Sequence, residues 1–160
     1  MVLFEFNDVF ARFTEAFQMQ LGEPSMMTDD EYDLALKSIV KTPFYDELVH
    51  KASGLEVLKW AMAWGDKKVY LLLKNEKYSP SWVNQRKLLF MDVVCDSAGI
   101  LRMEFDTCKT DADFLAHSGR GILVTGKVKN SMMWDATGNH SVLHADNAAV
   151  TIQQIKNYSY

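Results

Sequence analysis

A chain of 160 residues with 48% hydrophobic and 24% charged side chains is of single-domain length and can bury a sizeable core. That composition excludes a disordered chain, and no apolar run reaches the roughly 18 residues of a membrane span. The start, MVLFEFNDVF, lacks the basic n-region of a signal peptide, and two cysteines, Cys95 and Cys108, do not make a disulfide framework, so the expected location is cytoplasmic.

The net charge of −4 is unevenly spread: residues 1–66 carry five Lys/Arg and twelve Asp/Glu, and residues 67–160 carry twelve and nine. An acidic half followed by a mildly basic half points to an anionic partner for the second.

In chain order, the first half reads as helices. Asn7 is a candidate N-cap, and Phe6, Val9, Phe10, Phe13 and Phe17 recur at helical spacing. Gly22 and Pro24 end that segment. Thr28-Asp-Asp-Glu31 is a capping box ahead of Tyr32, Leu36, Ile39 and Val40. Thr42-Pro43 restarts the chain. Ser53 caps a fourth helix running to Trp64 and Gly65.

The second half reads mainly as strands. Residues 67–74 read as a strand, with a continuation of the preceding helix as the alternative, and 88–95 as an apolar strand. Asp96-Ser-Ala-Gly99 reads as a turn. Leu101, Met103 and Phe105 alternate with Arg102, Glu104 and Asp106, which completes a hairpin. Thr110-Asp-Ala-Asp113 caps a short helix that ends at Gly119. Residues 122–129, 141–145 and 149–155 are further strands. The expected fold is therefore α+β in a single domain, 1–160: a helical N-terminal layer (1–66) packed on an antiparallel sheet built by the C-terminal half (67–160).

For function, the stretch KKVYLLLKNEKYSPSWVNQRK holds six of the basic residues and one acid. Cations meet phosphates and aromatic faces stack unpaired bases, so single-stranded RNA or DNA uses both at once. The expected contacts are Lys67, Lys68, Lys74, Lys77, Arg86 and Lys87 on phosphates, with Tyr78 and Trp82 on bases. Arg102, Lys127 and Lys129 add a positive sheet face, and Arg120, between two glycines, a further phosphate contact. The competing structural explanation is a lysine-rich sheet edge that resists strand-to-strand association.

His140, His144 and Asp146 offer imidazole and carboxylate for a metal-dependent hydrolase, but strand spacing holds the two histidines about 13 Å apart. No metal and no cofactor is expected. The Phe-rich segment, with Phe4, is read mainly as core. Its alternative use is a docking face for a protein partner or a second copy, in an adaptor or inhibitor whose acidic half, with Asp29, Asp30, Glu31 and Asp33, steers a basic partner. No catalytic constellation declares itself, and the leading expectation is a non-catalytic binding protein for single-stranded nucleic acid.

Overall fold

The computed structural model describes residues 1–64, 68–101 and 103–159, and along them strands and helices alternate. The order is β1 (Val2–Glu5), α1 (Phe13–Leu21), α2 (Asp29–Ile39), α3 (Ala52–Met62), β2 (Val69–Lys74), α4 (Trp82–Ala98), β3 (Glu104–Cys108), α5 (Asp111–Leu115), β4 (Ile122–Thr125), α6 (Val128–Asp135), β5 (Ser141–Leu143) and α7 (Ala148–Tyr158). The strands form one sheet in the order β3-β2-β1-β4-β5. Every pairing is parallel, with Phe4 beside Leu71 and Val124.

This corrects the expected antiparallel sheet and the division into a helical half and a strand half. The physical reason lies in β1. A strand covered on both faces reads as a short continuous apolar run, not as an alternation. Val2, Leu3 and Phe4 are all buried, and so Val2–Glu5 is the central strand of the sheet rather than part of a helix. The expected first helix begins only at Phe13. Phe4, Phe6, Phe10, Phe13 and Phe17 are all in the main core.

Residues 88–95 were expected as a strand and lie inside α4, and the expected turn at Gly99 is that helix's C-cap, at φ 69°. Among the described residues the hairpin is therefore not formed, and β3 pairs in parallel with β2 instead. Residues 122–129 are a strand only to Thr125, after which α6 starts at Val128. Residues 149–155 belong to α7, whose N-cap Asn147 accepts a hydrogen bond from the Val150 N–H at 3.1 Å. The capping box expected at Thr28 and Glu31 is present, and the expected cap at Thr110 is also a capping box, closed by Asp113. The strand expected at 67–74 is found over Val69–Lys74, and that at 141–145 over Ser141–Leu143.

The two faces of the sheet are covered unequally. Val2, Phe4, Leu71, Leu73, Val124 and Val142 pack into the large core with residues of α1, α2, α3, α4 and α7. Leu3, Leu72 and Leu123 face the other way, against Phe114 of α5 and Trp134 of α6. Among the described residues no helix is long and apolar enough to cross a membrane.

Candidate functional site

The chain leaves β1 toward β2 and β3 on one side, then crosses to β4 and β5 on the other. In such a sheet the loops after β1 and β4 diverge, and a crevice opens beyond the carboxyl ends of the strands. A cleft of about 430 Å³ occupies that place. Its walls come from the ends of four strands: Glu5, Phe6 and Asn7 after β1, Lys74 to Lys77 after β2, Lys109 and Asp111 after β3, and Lys127, Lys129 and Asn130 after β4. Tyr32 and Leu36 of α2 close one side.

The loops at the cleft floor touch. A Cβ on Gly126 would lie 2.6 Å from the Asp8 carbonyl oxygen and 2.4 Å from its Cβ. Only glycine allows the β4–α6 loop to come so close to the β1–α1 loop. Asp8, itself at φ 62°, holds the start of α1 by accepting the Thr14 N–H at 2.8 Å and the Thr14 hydroxyl at 2.6 Å.

Two polar networks line the cleft. In the first, the buried Glu5 carboxylate accepts the Thr125 hydroxyl and, at 2.8 Å, the Asn130 side-chain N–H. The Asn130 carbonyl oxygen accepts from Lys74 Nζ at 3.3 Å, and Lys74 pairs with Asp111 at 2.7 Å. Burial raises the pKa of Glu5, and the Thr125 hydroxyl, the charges of Lys127 and Lys74 and the Asn130 amide offset only part of this. The hydrogen bond from Lys74 lowers that of Asp111.

The second network centres on Glu76. It accepts from Lys87 Nζ at 2.7 Å, from the Asn7 amide, and from Tyr45 and Ser79 hydroxyls at 3.1 Å each. The Lys87 side chain is 1% exposed and that of Glu76 6%. Burial acts to raise the Glu76 pKa. The charges of Lys87 and Lys127, with the bonds from Lys87 and Asn7, outweigh it and bring the value to about 2. Burial, then the Glu76 charge, raises that of Tyr45.

The remaining cations act on the cleft carboxylates only at longer range, Lys127 on Glu5 and Glu76 and Lys129 on Asp111. Among the described residues no carboxylate lies in ion-pair range of Lys109, Lys127 or Lys129. Lys127 Nζ stands 4.9 Å over the Phe13 ring. At the rim, Lys77 pairs with Asp33 at 3.0 Å, and the Tyr78 hydroxyl donates to the same carboxylate at 3.2 Å.

The basic-aromatic set expected from sequence is thus divided. Lys74, Lys77, Lys127 and Lys129 share the cleft. Lys87 is buried against Glu76 and is not a surface cation. Lys68 precedes β2 and Arg120 precedes β4, which puts both at the opposite end of the sheet, where Arg120 stacks on Tyr70 at 4.2 Å. Trp82 begins α4 and is 37% exposed, and Arg86 pairs with Asp46 at 3.5 Å. Lys67 and Arg102 lie outside the described residues.

His144 is buried between two hydroxyls, Ser53 Oγ at 2.9 Å from Nε2 and Thr151 Oγ1 at 2.7 Å from Nδ1. Burial, then the Lys51 charge, lowers its pKa. His140 stacks instead on Tyr158, with ring centres 4.3 Å apart. Asp146 pairs with Lys51 at 3.0 Å. Among the described residues no group of three His, Cys, Asp or Glu is placed to hold a metal ion. Cys95 and Cys108 are buried, and burial pushes the Cys108 thiol up to about 12.

Glu5, Asn7, Glu76, Lys109, Asp111, Thr125 and Asn130 were not anticipated. Their signal is the sharp change from apolar run to polar cluster at each strand end: VLF to EFND, VYLLL to KNEK, ILV to TGKVKN. In a parallel sheet those changes all fall on one edge. No known family model matches the chain, and no curated protein matches it.

Proposed function

We propose that the cleft beyond the carboxyl ends of β1 and β4 binds a small phosphorylated molecule. The observation that carries the reading is the gathering of five lysines, Lys74, Lys77, Lys109, Lys127 and Lys129, around one cleft in a chain of net charge −4. Three of them, Lys109, Lys127 and Lys129, form no close ion pair among the described residues, and a phosphate would add negative charge within their reach. The Tyr32 and Phe6 side chains give the same cleft apolar wall. A volume of about 430 Å³ is in the range of small-ligand sites, and it accommodates a mononucleotide or a sugar phosphate.

In this reading Lys109, Lys127 and Lys129 hold the phosphate. Glu5, fixed by Thr125 and Asn130, faces the rest of the ligand and accepts from a hydroxyl or amino group. No covalent step is required of the site.

A second reading keeps single-stranded nucleic acid as the ligand, with one nucleotide in the cleft and its neighbours on the exposed rings of Tyr78 and Trp82. Calorimetric titration with inorganic phosphate, ribose 5-phosphate, nucleoside monophosphates and short oligonucleotides separates the two. Mononucleotide binding that weakens with salt and drops at least tenfold in Lys127→Ala/Lys129→Ala supports the first. Oligonucleotides that bind tighter with each added residue, and lose that gain in Trp82→Ala, support the second. Binding of neither kind at low salt overturns both.

A further inference from the structure

Helix α4 is apolar on two sides, which is why its middle reads as an apolar run broken only by Asp92. Val83, Lys87, Met91 and Cys95, four residues apart, face the core. On the outer side Leu89 is 54% and Val93 65% exposed. Arg86 and Asp96 are exposed beside them. At 3.6 residues per turn, Arg86, Leu89, Val93 and Asp96 fall within an arc of about 80°. A soluble helix normally turns one apolar stripe inward and keeps the other side polar. The second stripe borders a groove of about 400 Å³ lined by Asp46, Val49, His50, Arg86, Leu89 and Val93.

The stripe is complementary to itself in one orientation. Residue 91 is midway between Leu89 and Val93, and it is also midway between Arg86 and Asp96. A two-fold axis passing at Met91 therefore sets Leu89 against Val93 of the partner subunit, and Arg86 against Asp96 of the partner subunit. Gln85 and Ser97, both exposed, meet on the same axis. Parallel helices would set arginine on arginine and aspartate on aspartate. The pair Arg86–Asp46 at 3.5 Å is half-exposed on both sides, and such pairs exchange at little cost.

We infer that α4 is the interface of a homodimer, with a second copy of this chain packed antiparallel along the stripe Arg86–Leu89–Val93–Asp96 and its apolar side chains seated in the adjoining groove. A two-fold interface of this kind presents the same patch from both subunits. The contact rests on one helix from each copy, and its affinity is expected in the micromolar range, typical of small interfaces.

The test is sedimentation equilibrium of the full chain from micromolar to near-millimolar concentration. The wild type is expected to pass from monomer to dimer. Leu89→Glu/Val93→Glu is expected to remain monomeric with unchanged circular dichroism. Arg86→Glu and Asp96→Arg, each alone, set like charges together and are expected to raise the dissociation constant at least tenfold. The combination Arg86→Glu/Asp96→Arg restores opposite charges and is expected to return within about threefold of the wild type, a rescue that unrelated damage to the fold does not produce. A wild type that stays monomeric throughout, or a dimer indifferent to the single charge reversals, overturns the proposal.

Discussion

Lys87 and Glu76 form an ion pair of 2.7 Å with both side chains withdrawn from solvent. Lys87 rises from the inner face of α4 and Glu76 sits just past β2, so the pair ties the helix to the cleft edge of the sheet. The Phe6 and Tyr45 rings stand 5.7 and 5.9 Å from the ammonium. Removing one partner strands the other's charge in the interior. Lys87→Met is expected to lower unfolding free energy by about 3–5 kcal/mol, and Lys87→Met/Glu76→Gln to recover part of it. Urea unfolding followed by circular dichroism checks both.

The same pair fixes how stability responds to acid. The Glu76 pKa, 4.5 in its ordinary state, is depressed to about 2 in the fold. A depressed carboxylate contributes stability that is present above the unfolded value and lost as pH falls toward the folded one. His144, lowered from 6.5 by burial, adds an earlier loss that begins as pH drops below 6.5. Glu5 acts in the opposite sense: its raised pKa means that keeping it ionised costs stability at neutral pH, a cost relieved in acid. The expected profile is a decline starting below 6.5 and steepening between about 4.5 and 2. His144→Gln is expected to flatten the first part, and Lys87→Met/Glu76→Gln the second. Thermal melts across pH read this directly.

Gly126→Ala is expected to cost about 1–3 kcal/mol, because its methyl group meets the Asp8 backbone and the two loops at the cleft floor must separate. Ligand affinity should fall with it. Unchanged stability and affinity would mean that the two loops are not held together at this point.

Thr28 and Thr110 each accept the N–H three residues on, at 3.2 and 3.1 Å. Thr28→Ala and Thr110→Ala are each expected to lose about 1 kcal/mol. Thr110 also starts the helix that carries Asp111 to Lys74, so its loss, unlike that of Thr28, should weaken the cleft's ligand. Melting and calorimetry on the two variants distinguish them.

The parts of this fold visible in the sequence are those written locally. Thr28 with Glu31 and Thr110 with Asp113 state their helix starts in four residues. The helix α2 follows from its cap and the spacing of Tyr32, Leu36 and Ile39, whereas Val69–Lys74 carries no period of its own and reads also as a helix continuing from the segment before it. Residues 2–6 and 88–95 carry none either, because each is mostly apolar, interrupted by one acid (Glu5 and Asp92), for a different reason. The first is sandwiched between two helix layers, and the second has core on one side and an exposed stripe on the other. Short apolar runs of this sort carry no period that separates strand from helix. The antiparallel reading followed from those two segments. For the site, Lys74, Lys77, Lys127 and Lys129 were visible as charge. Glu5, Asn130 and Asp111 were not, because their meeting depends on strand order. Lys87 was misplaced because a buried lysine and a surface lysine look alike until the partner carboxylate, Glu76, is located.

The central claim is that the strand-end cleft is where a phosphorylated ligand sits. Backbone amide NMR during titration with a nucleoside monophosphate tests it most directly. The account predicts shifts confined to residues 5–8, 74–77, 109–111 and 126–130, saturable, and abolished in Lys127→Ala/Lys129→Ala. Shifts clustered instead around Lys68, Tyr70 and Arg120 at the other end of the sheet, or no shifts with any phosphorylated compound at low salt, would contradict it.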